Sequence, residues 1–288
     1  MNYTVEALFD KKTFTLTYVL FDETSKDAII IDPVLDYDIA SSKLSCESVD
    51  NVLNFVKTKE LKVHFILETH AHADHLSGAQ ELKKHFPEAK VAIGENIRLV
   101  QETFKDIYNL KNLEINGSQF DLLLNEQTTL DAGTIKIETI YTPGHTPACC
   151  SYLIGNNVFT GDALFIEDFG TGRCDFPKGD AKELYKSVHD KLYNLADDTN
   201  VYVGHDYQPN NRELRYKTTI GTSKKSNIQL KEQTSLEEFV NFRTERDKVL
   251  KAPRLLFPSI QVNIDAGHLP ELEDNGKRYL KIPLFGDL

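Results

Sequence analysis

Apolar and polar positions set out a series of strands and helices from the N-terminus onward. Phe14, Leu16, Tyr18 and Leu20 alternate with Thr15, Thr17 and Val19, and after the polar turn ETSKD the apolar run AIII ends at Asp32-Pro33. A period of two, a turn and a second apolar run predict a hairpin that opens a sheet. Residues 34–47 carry little apolar periodicity and read as a loop. From Ser48, read as an N-cap, Val49, Val52, Leu53 and Val56 recur at helical spacing and put one apolar stripe on a helix. VHFIL at 63–67 is then a buried strand, followed by THAHADHLSG and a helical pattern of Leu76, Ala79, Leu82 and Phe86 that stops near Pro87. A short strand VAI and a helix bearing Ile97, Val100, Phe104 and Ile107 complete this half.

The middle of the chain turns β-rich, with TIKIETIY after the Asp131-Ala132-Gly133 turn, then CCSYLI, the turn at Gly155-Asn156-Asn157, and VFT leading into Gly161-Asp162. Two sheets are expected. A helix from Asp180, with Glu183 completing a capping box, turns Leu184, Val188, Leu192 and Leu195 inward and precedes VYV and GHDY. Beyond about residue 215 the spacing loosens. A helix from Ser235, capped by Glu238 and carrying Phe239, Phe242 and Val249, precedes a Pro-punctuated tail, and the segment is expected to pack on the core as an appendage. The expected division is a catalytic domain over 1–215 and a C-terminal extension over 216–288.

Composition narrows the classes of function. The chain has 288 residues, 40% hydrophobic and 27% charged, which is enough for one large domain or one domain with an appendage and is unlike a disordered or low-complexity chain. No window holds the apolar run that a bilayer span needs, and the start MNYTVEALFD lacks the features of a signal peptide. A net charge of −11 without a basic cluster argues against nucleic acid and anionic membrane as partners. Four cysteines (Cys46, Cys149, Cys150 and Cys174) are too few for a disulfide scaffold, so a reducing cytoplasm is expected.

The candidate chemistry sits where strands end. His70, His72, Asp74 and His75 follow the strand at 63–67; His145 lies in TPGHT, Asp162 in FTGDALF and His205 in VGHDY. Imidazoles with a carboxylate suit a divalent transition metal, and the small Ala71 and Ala73 permit the tight turn that brings nearby ligands around one centre. Isolated histidines are ordinarily surface or hydrogen-bonded groups, and His64, His85, His189 and His268 are read as such.

HAHADH, TPGHT, TGD and GHD, in that order, resemble the metallo-β-lactamase superfamily. The resemblance implies an α/β fold, a four-layer αββα sandwich with metal held at one edge by loops between sheet and helix. TGRCDFPKGDAKELYKSVHDKL is similar to a segment of persulfide dioxygenases, and DPVLDYD, VGHDYQP and PRLLFPSIQVNIDAGHLP resemble the bacterial β-lactamase-hydrolase-like proteins linked to sulfide detoxification. The persulfide dioxygenase resemblance implies one Fe(II) per chain on His70, His145 and Asp162. It also implies that glutathione persulfide, or a similar small persulfide, is oxidised with dioxygen to sulfite and free thiol. Two imidazoles and one carboxylate on one face of iron leave positions open for both reactants. His72, Asp74, His75 and His205 would then orient the ligands. In the dinuclear hydrolases of the superfamily all seven residues bind metal, which keeps open two zinc ions and hydrolysis of a thioester, as in glyoxalase II, or of a lactone.

By the same resemblance Arg173 and Tyr207 contact glutathione, the arginine as a fork for a carboxylate and the phenol as a donor. Cys174 reads as a redox or persulfide-carrying thiol near the iron or as a small buried hydrophobe, and Cys149 and Cys150 as core residues of a strand. A non-catalytic interaction module is a rival of another class, disfavoured by retention of every ligand. A homo-oligomer is left open.

Overall fold

A computed structural model describes residues 3–286. One sheet has the order β1 (Thr4–Asp10), β2 (Thr15–Phe21), β3 (Asp27–Ile31), β6 (Lys62–Leu67), β8 (Lys90–Gly94) and β9 (Leu122–Leu124). The first three strands are antiparallel and the last three join in parallel, as helix-linked strands do. The second sheet has the order β10 (Thr129–Ala132), β11 (Ile135–Tyr141), β12 (Cys150–Ile154), β13 (Asn157–Phe159), β14 (Asn200–Tyr202) and β15 (Lys217–Thr219).

The pleat of β2 shows how the layers stack. Leu16, Tyr18 and Leu20 point to the core shared with Ile137, Tyr152 and Ile154 of the second sheet, while Val19 and Phe21 face the other way, onto the helices. Those helices are α1 (Glu47–Thr58), α2 (Ala79–His85) and α3 (Ile97–Ile107), which bury Val52, Leu82 and Val100. Leu184 of α4 (Ala181–Lys186) and Ile220 of α5 (Ile220–Ser226) belong to the cluster around the second sheet. The expected αββα sandwich is therefore the fold.

Several local expectations are corrected. The stretch read as a loop contains β4 (Val34–Asp38) and β5 (Lys43–Ser45), which form a small sheet with β7 (Leu76–Ser77). Only Val34, Leu35 and Asp36 of β4 are buried, so no alternating pattern betrayed it. Leu76 accordingly lies in a strand and not in α2. Ser48 does not cap α1, which starts at Glu47 after Cys46; its N–H and hydroxyl both donate to Asp36, at 2.7 and 3.2 Å. Asp180 does cap α4, accepting from the Lys182 and Glu183 amides, but Glu183 reaches forward to Lys186 instead of closing a box. A single π turn, Ser187–Lys191, then interrupts the regular spacing.

In the tail, Ser235 and Glu238 form the expected reciprocal box at α6 (Leu236–Asp247). Its buried face is Phe239, Arg243 and Asp247, whereas Phe242 and Val249 are exposed. A buried pair has replaced an apolar stripe: Arg243 donates to Asp247 and to the carbonyls of Thr171 and Gly172. The last helix, α7 (Leu256–Asn263), packs beside β7, and β15 extends the second sheet past residue 215. Among the described residues no helix is long and apolar enough to cross a membrane.

Candidate metal centre

Both sheets deliver their strand ends to one edge. The β6 strand ends at Leu67 and runs into Glu68–His75; β11 is followed by Pro143–His145, β13 by Gly161-Asp162, and β14 by Gly204-His205. Two glycines make the close approach possible. Gly161 has φ +50°, and a Cβ there would lie 2.5 Å from Thr69 Oγ1; a Cβ on Gly204 would lie 2.9 Å from Asp162 Oδ1.

One ligand atom from each of His70, His145 and Asp162 falls within 4.8 Å of the other two. His72, Asp74 and His75 make a second such group, and His72 makes a third with Asp32 and Glu68. His205 Nε2 stands 3.3 Å from Asp74 Oδ2 and 3.4 Å from Asp162 Oδ1, between the first two groups. The seven sequence-predicted metal-site residues thus converge. His64 instead bonds Asp27, His189 bonds the Glu232 carbonyl, His268 the Asp265 carbonyl, and His85 is exposed at the end of α2.

The hydrogen bonds behind the imidazoles determine which nitrogen is free. The Thr69 hydroxyl donates to Asp32 Oδ2 at 2.8 Å, so toward His70 Nδ1, 3.0 Å away, its oxygen accepts. His70 therefore carries its proton on Nδ1 and presents a bare Nε2. His145 Nδ1 faces the Arg173 carbonyl at 2.6 Å, which can only accept, and its Nε2 is likewise bare. His205 Nδ1 points to the Phe14 carbonyl at 3.3 Å. The Nε2 atoms of His70, His75 and His205, both nitrogens of His72 and Asp162 Oδ1 are buried and make no well-aligned hydrogen bond, although His72 Nε2 lies 3.0 Å from Asp32 Oδ1. Buried polar atoms are seldom left so, and a cation held by His70, His145 and Asp162 would give a partner to His70 Nε2 and to the Asp162 carboxylate.

Electrostatics say the same. Burial and neighbouring imidazoles hold His70 and His72 well below the usual histidine range, keeping them neutral and ready to ligate. Burial alone would also lower His205, but the carboxylates of Asp74 and Asp162 turn its shift upward, so negative charge is stored here. Asp32 and Glu68 are pushed up, first by burial and, for Glu68, next by the Asp32 carboxylate.

A cavity of about 390 Å³ opens onto the centre, lined in part by Phe14, Asp74, Asp162, Arg173, Phe176, Tyr207 and Arg254. Tyr207 stacks on His205 and packs on Phe169, with ring centroids 5.5 and 4.7 Å apart. Burial, with Asp162 and Asp74 nearby, pushes its phenol well up, so it remains a donor. The Arg173 fork is not free: Nε and Nη2 donate to Asp175, both at 2.6 Å, and Nη1 to the Lys251 carbonyl at 2.7 Å. Arg254, exposed on the rim, forms no ion pair among the described residues. Cys174 is buried and its thiol pushed up by that burial, so it packs as a small apolar group; Cys149 and Cys150 are buried too, and all four cysteines are free.

The supporting groups Asp32, Glu68 and Thr69 and the Arg173 carbonyl lie outside the metal-ligand motifs of the sequence. A signal existed for the acids, each of which sits at the end of a predicted apolar strand.

Fold and site together define a metal-binding sandwich of the kind the sequence motifs resemble. The chain belongs to the metallo-β-lactamase superfamily, whose family model matches residues 11–205. It is 46% identical over 282 residues to a protein named glyoxylase B2 from Dictyostelium discoideum, covering 97% of this chain and 96% of that one. It is 34% identical to the mouse mitochondrial persulfide dioxygenase ETHE1, over 69% of this chain and 67% of that protein. A beta-lactamase hydrolase-like protein of Xylella fastidiosa is 43% identical over 97% of this chain and 64% of its own length. Among solved structures, ETHE1 from Myxococcus xanthus superimposes with a TM-score of 0.74 at 32% identity, covering 93% of this chain and all of that one.

Proposed function

We propose that the protein is a mononuclear iron persulfide dioxygenase that converts a low-molecular-weight persulfide, dioxygen and water into the free thiol and sulfite. The sulfane sulfur gives up four electrons, dioxygen takes them, and the S–S bond breaks with the thiol as leaving group. The observation that carries this reading is the donor set: two imidazoles with bare Nε2 atoms and one carboxylate, His70, His145 and Asp162, gathered into one group. Two histidines and a carboxylate form the facial triad of non-haem iron oxygenases. The similarity to two proteins named ETHE1 supports it.

When bound, iron supplies redox chemistry and open positions for the reactants. The chain supplies orientation and an enclosed surface. Thr69 and the Arg173 carbonyl hold the two imidazoles in one tautomer, and Phe14 and Phe176 line the cavity with apolar surface that displaces water. Tyr207 offers a phenolic proton, and Arg254 a rim cation with no ion pair among the described residues, for an anionic thiol carrier such as glutathione.

A second reading, a dinuclear zinc hydrolase of thioesters, draws on the group His72, Asp74 and His75 with His205 beside it, and on the name glyoxylase B2 of a relative. Elemental analysis of protein produced with sufficient iron separates the two: the dioxygenase reading expects one iron per chain, and two tightly held zinc ions per chain would replace it with the hydrolase.

A further inference from the structure

The turn that carries the metal motif has no regular secondary structure between Leu67 and Leu76, so its backbone must be held by other means. One side chain from the far end of the chain supplies two bonds to it and a third to Ser77 just beyond it. Asn263, at the end of α7 and 4% exposed, accepts from the Ser77 N–H through Oδ1 at 2.7 Å. Its Nδ2 donates to the carbonyls of His72 and His75, both at 2.8 Å. The amide orientation follows from these partners, because rotating it would set two donors against each other and an acceptor against two carbonyls. The two carbonyls belong to the residues that bracket Ala73 and Asp74, and the side chains of His72 and His75 carry three of the buried nitrogens that make no well-aligned hydrogen bond.

Asn263 is itself held firmly. Gln101 of α3 donates to the Ile264 carbonyl at 2.8 Å, and Gln80 of α2 donates to the Ala266 carbonyl at 2.9 Å. Ser77, whose amide it receives, also donates its hydroxyl to Glu68 on the other side of the turn. The residue lies well beyond position 205, where the superfamily match ends.

We propose that Asn263 is a positioning residue of the metal centre: the C-terminal segment completes the site by fixing the His72–His75 turn through the Asn263 carboxamide. This goes beyond the proposed reaction: with two zinc ions Asn263 fixes the backbone of ligands, with one iron it fixes the residues that flank and orient them, and in both cases the test reads metal affinity and not turnover.

The experiment titrates metal-free full-length protein with Zn(II), and separately with Fe(II) under anaerobic conditions, against a chelator. Asn263→Ala and Asn263→Asp are compared with Tyr193→Phe, which removes the buried bond from the Tyr193 hydroxyl to the Leu230 carbonyl and touches neither the turn nor the groups that hold Asn263. Asn263→Ala is expected to weaken metal binding about 10–100-fold, the usual cost of losing a group that orients ligands. Asn263→Asp keeps the acceptor for Ser77 but presents a carboxylate oxygen to two carbonyls, and is expected to lose at least as much. Tyr193→Phe is expected to lower the melting temperature and keep wild-type metal affinity. Asn263→Ser serves should the alanine variant not fold. Asn263 variants that fold and bind metal with wild-type affinity, losing only thermal stability as Tyr193→Phe does, would overturn the proposal and leave Asn263 as an ordinary tie between helix and turn.

Discussion

The carbonyl of Arg173 accepts the Nδ1–H of His145 at 2.6 Å, so the arginine expected to grip substrate with its side chain also orients a metal ligand with its backbone. Its guanidinium is engaged by Asp175 and the Lys251 carbonyl, which braces the very loop that carries that backbone group.

A contrast between two arginines follows. Arg173→Ala is expected to loosen the loop, weaken metal retention and lower kcat, with Arg173→Lys restoring only part, since an ammonium cannot reproduce the fork on Asp175. Arg254→Ala is expected to leave metal content and kcat unchanged and to raise KM for glutathione persulfide about tenfold or more, the roughly 1.5–3 kcal/mol of a hydrogen bond to a charged group. Oxygen-uptake kinetics with metal analysis on both variants test this. A KM effect confined to Arg173→Ala would return the carboxylate contact to Arg173.

The relay from Asp32 through Thr69 to His70 makes a second prediction. Thr69→Val removes the acceptor that fixes the Nδ1 proton of His70 and is expected to weaken metal binding about 10–100-fold, while Thr69→Ser, which keeps the hydroxyl, is expected to restore most of it. Chelator competition reads the difference, and equal affinities for the valine and wild-type proteins would contradict the relay.

Much of this arrangement shows in the sequence, and the reasons are uneven. The stripes Val49–Val52–Val56 and Ile97–Val100–Phe104 and the strand ends at His70, His145, Asp162 and His205 all show in the sequence, because apolar period and ligand type are local signals. Two things hid the rest. Burial on α6 is carried by Arg243 paired with Asp247, which an apolar pattern cannot reveal, and the Ser48 cap is replaced by Asp36 from a strand twelve residues away. The groups behind the ligands are hydrogen-bonding atoms such as the Arg173 carbonyl and the Asn263 amide, which have no spacing relative to the motifs they serve.

Away from the centre, Asp27 predicts a pH dependence of stability. Burial would raise its carboxyl, but His64 Nε2 at 2.6 Å and the Thr134 N–H at 2.9 Å outweigh this and lower it to about 2. Since the folded value lies below the unfolded value of about 3.9, the stabilisation is present above about pH 4 and is lost as pH falls toward 2; screening trims it to about 1–2 kcal/mol. Asp27→Asn is expected to be less stable than wild type by that margin at pH 7, with the gap narrowing below pH 4, as read by urea unfolding across pH. A gap independent of pH would assign the effect to shape and not to charge.

Dioxygen consumption by metal-free protein reconstituted separately with Fe(II) and with Zn(II), supplied with glutathione persulfide and with sulfite measured alongside, separates an iron dioxygenase from a zinc hydrolase. The iron form is predicted to consume dioxygen only when persulfide is present, one molecule for each sulfite formed, and the zinc form to consume none. An iron form that takes up no dioxygen, together with a zinc form that hydrolyses a glutathione thioester, would make the second metal group, not the facial triad, the seat of the chemistry.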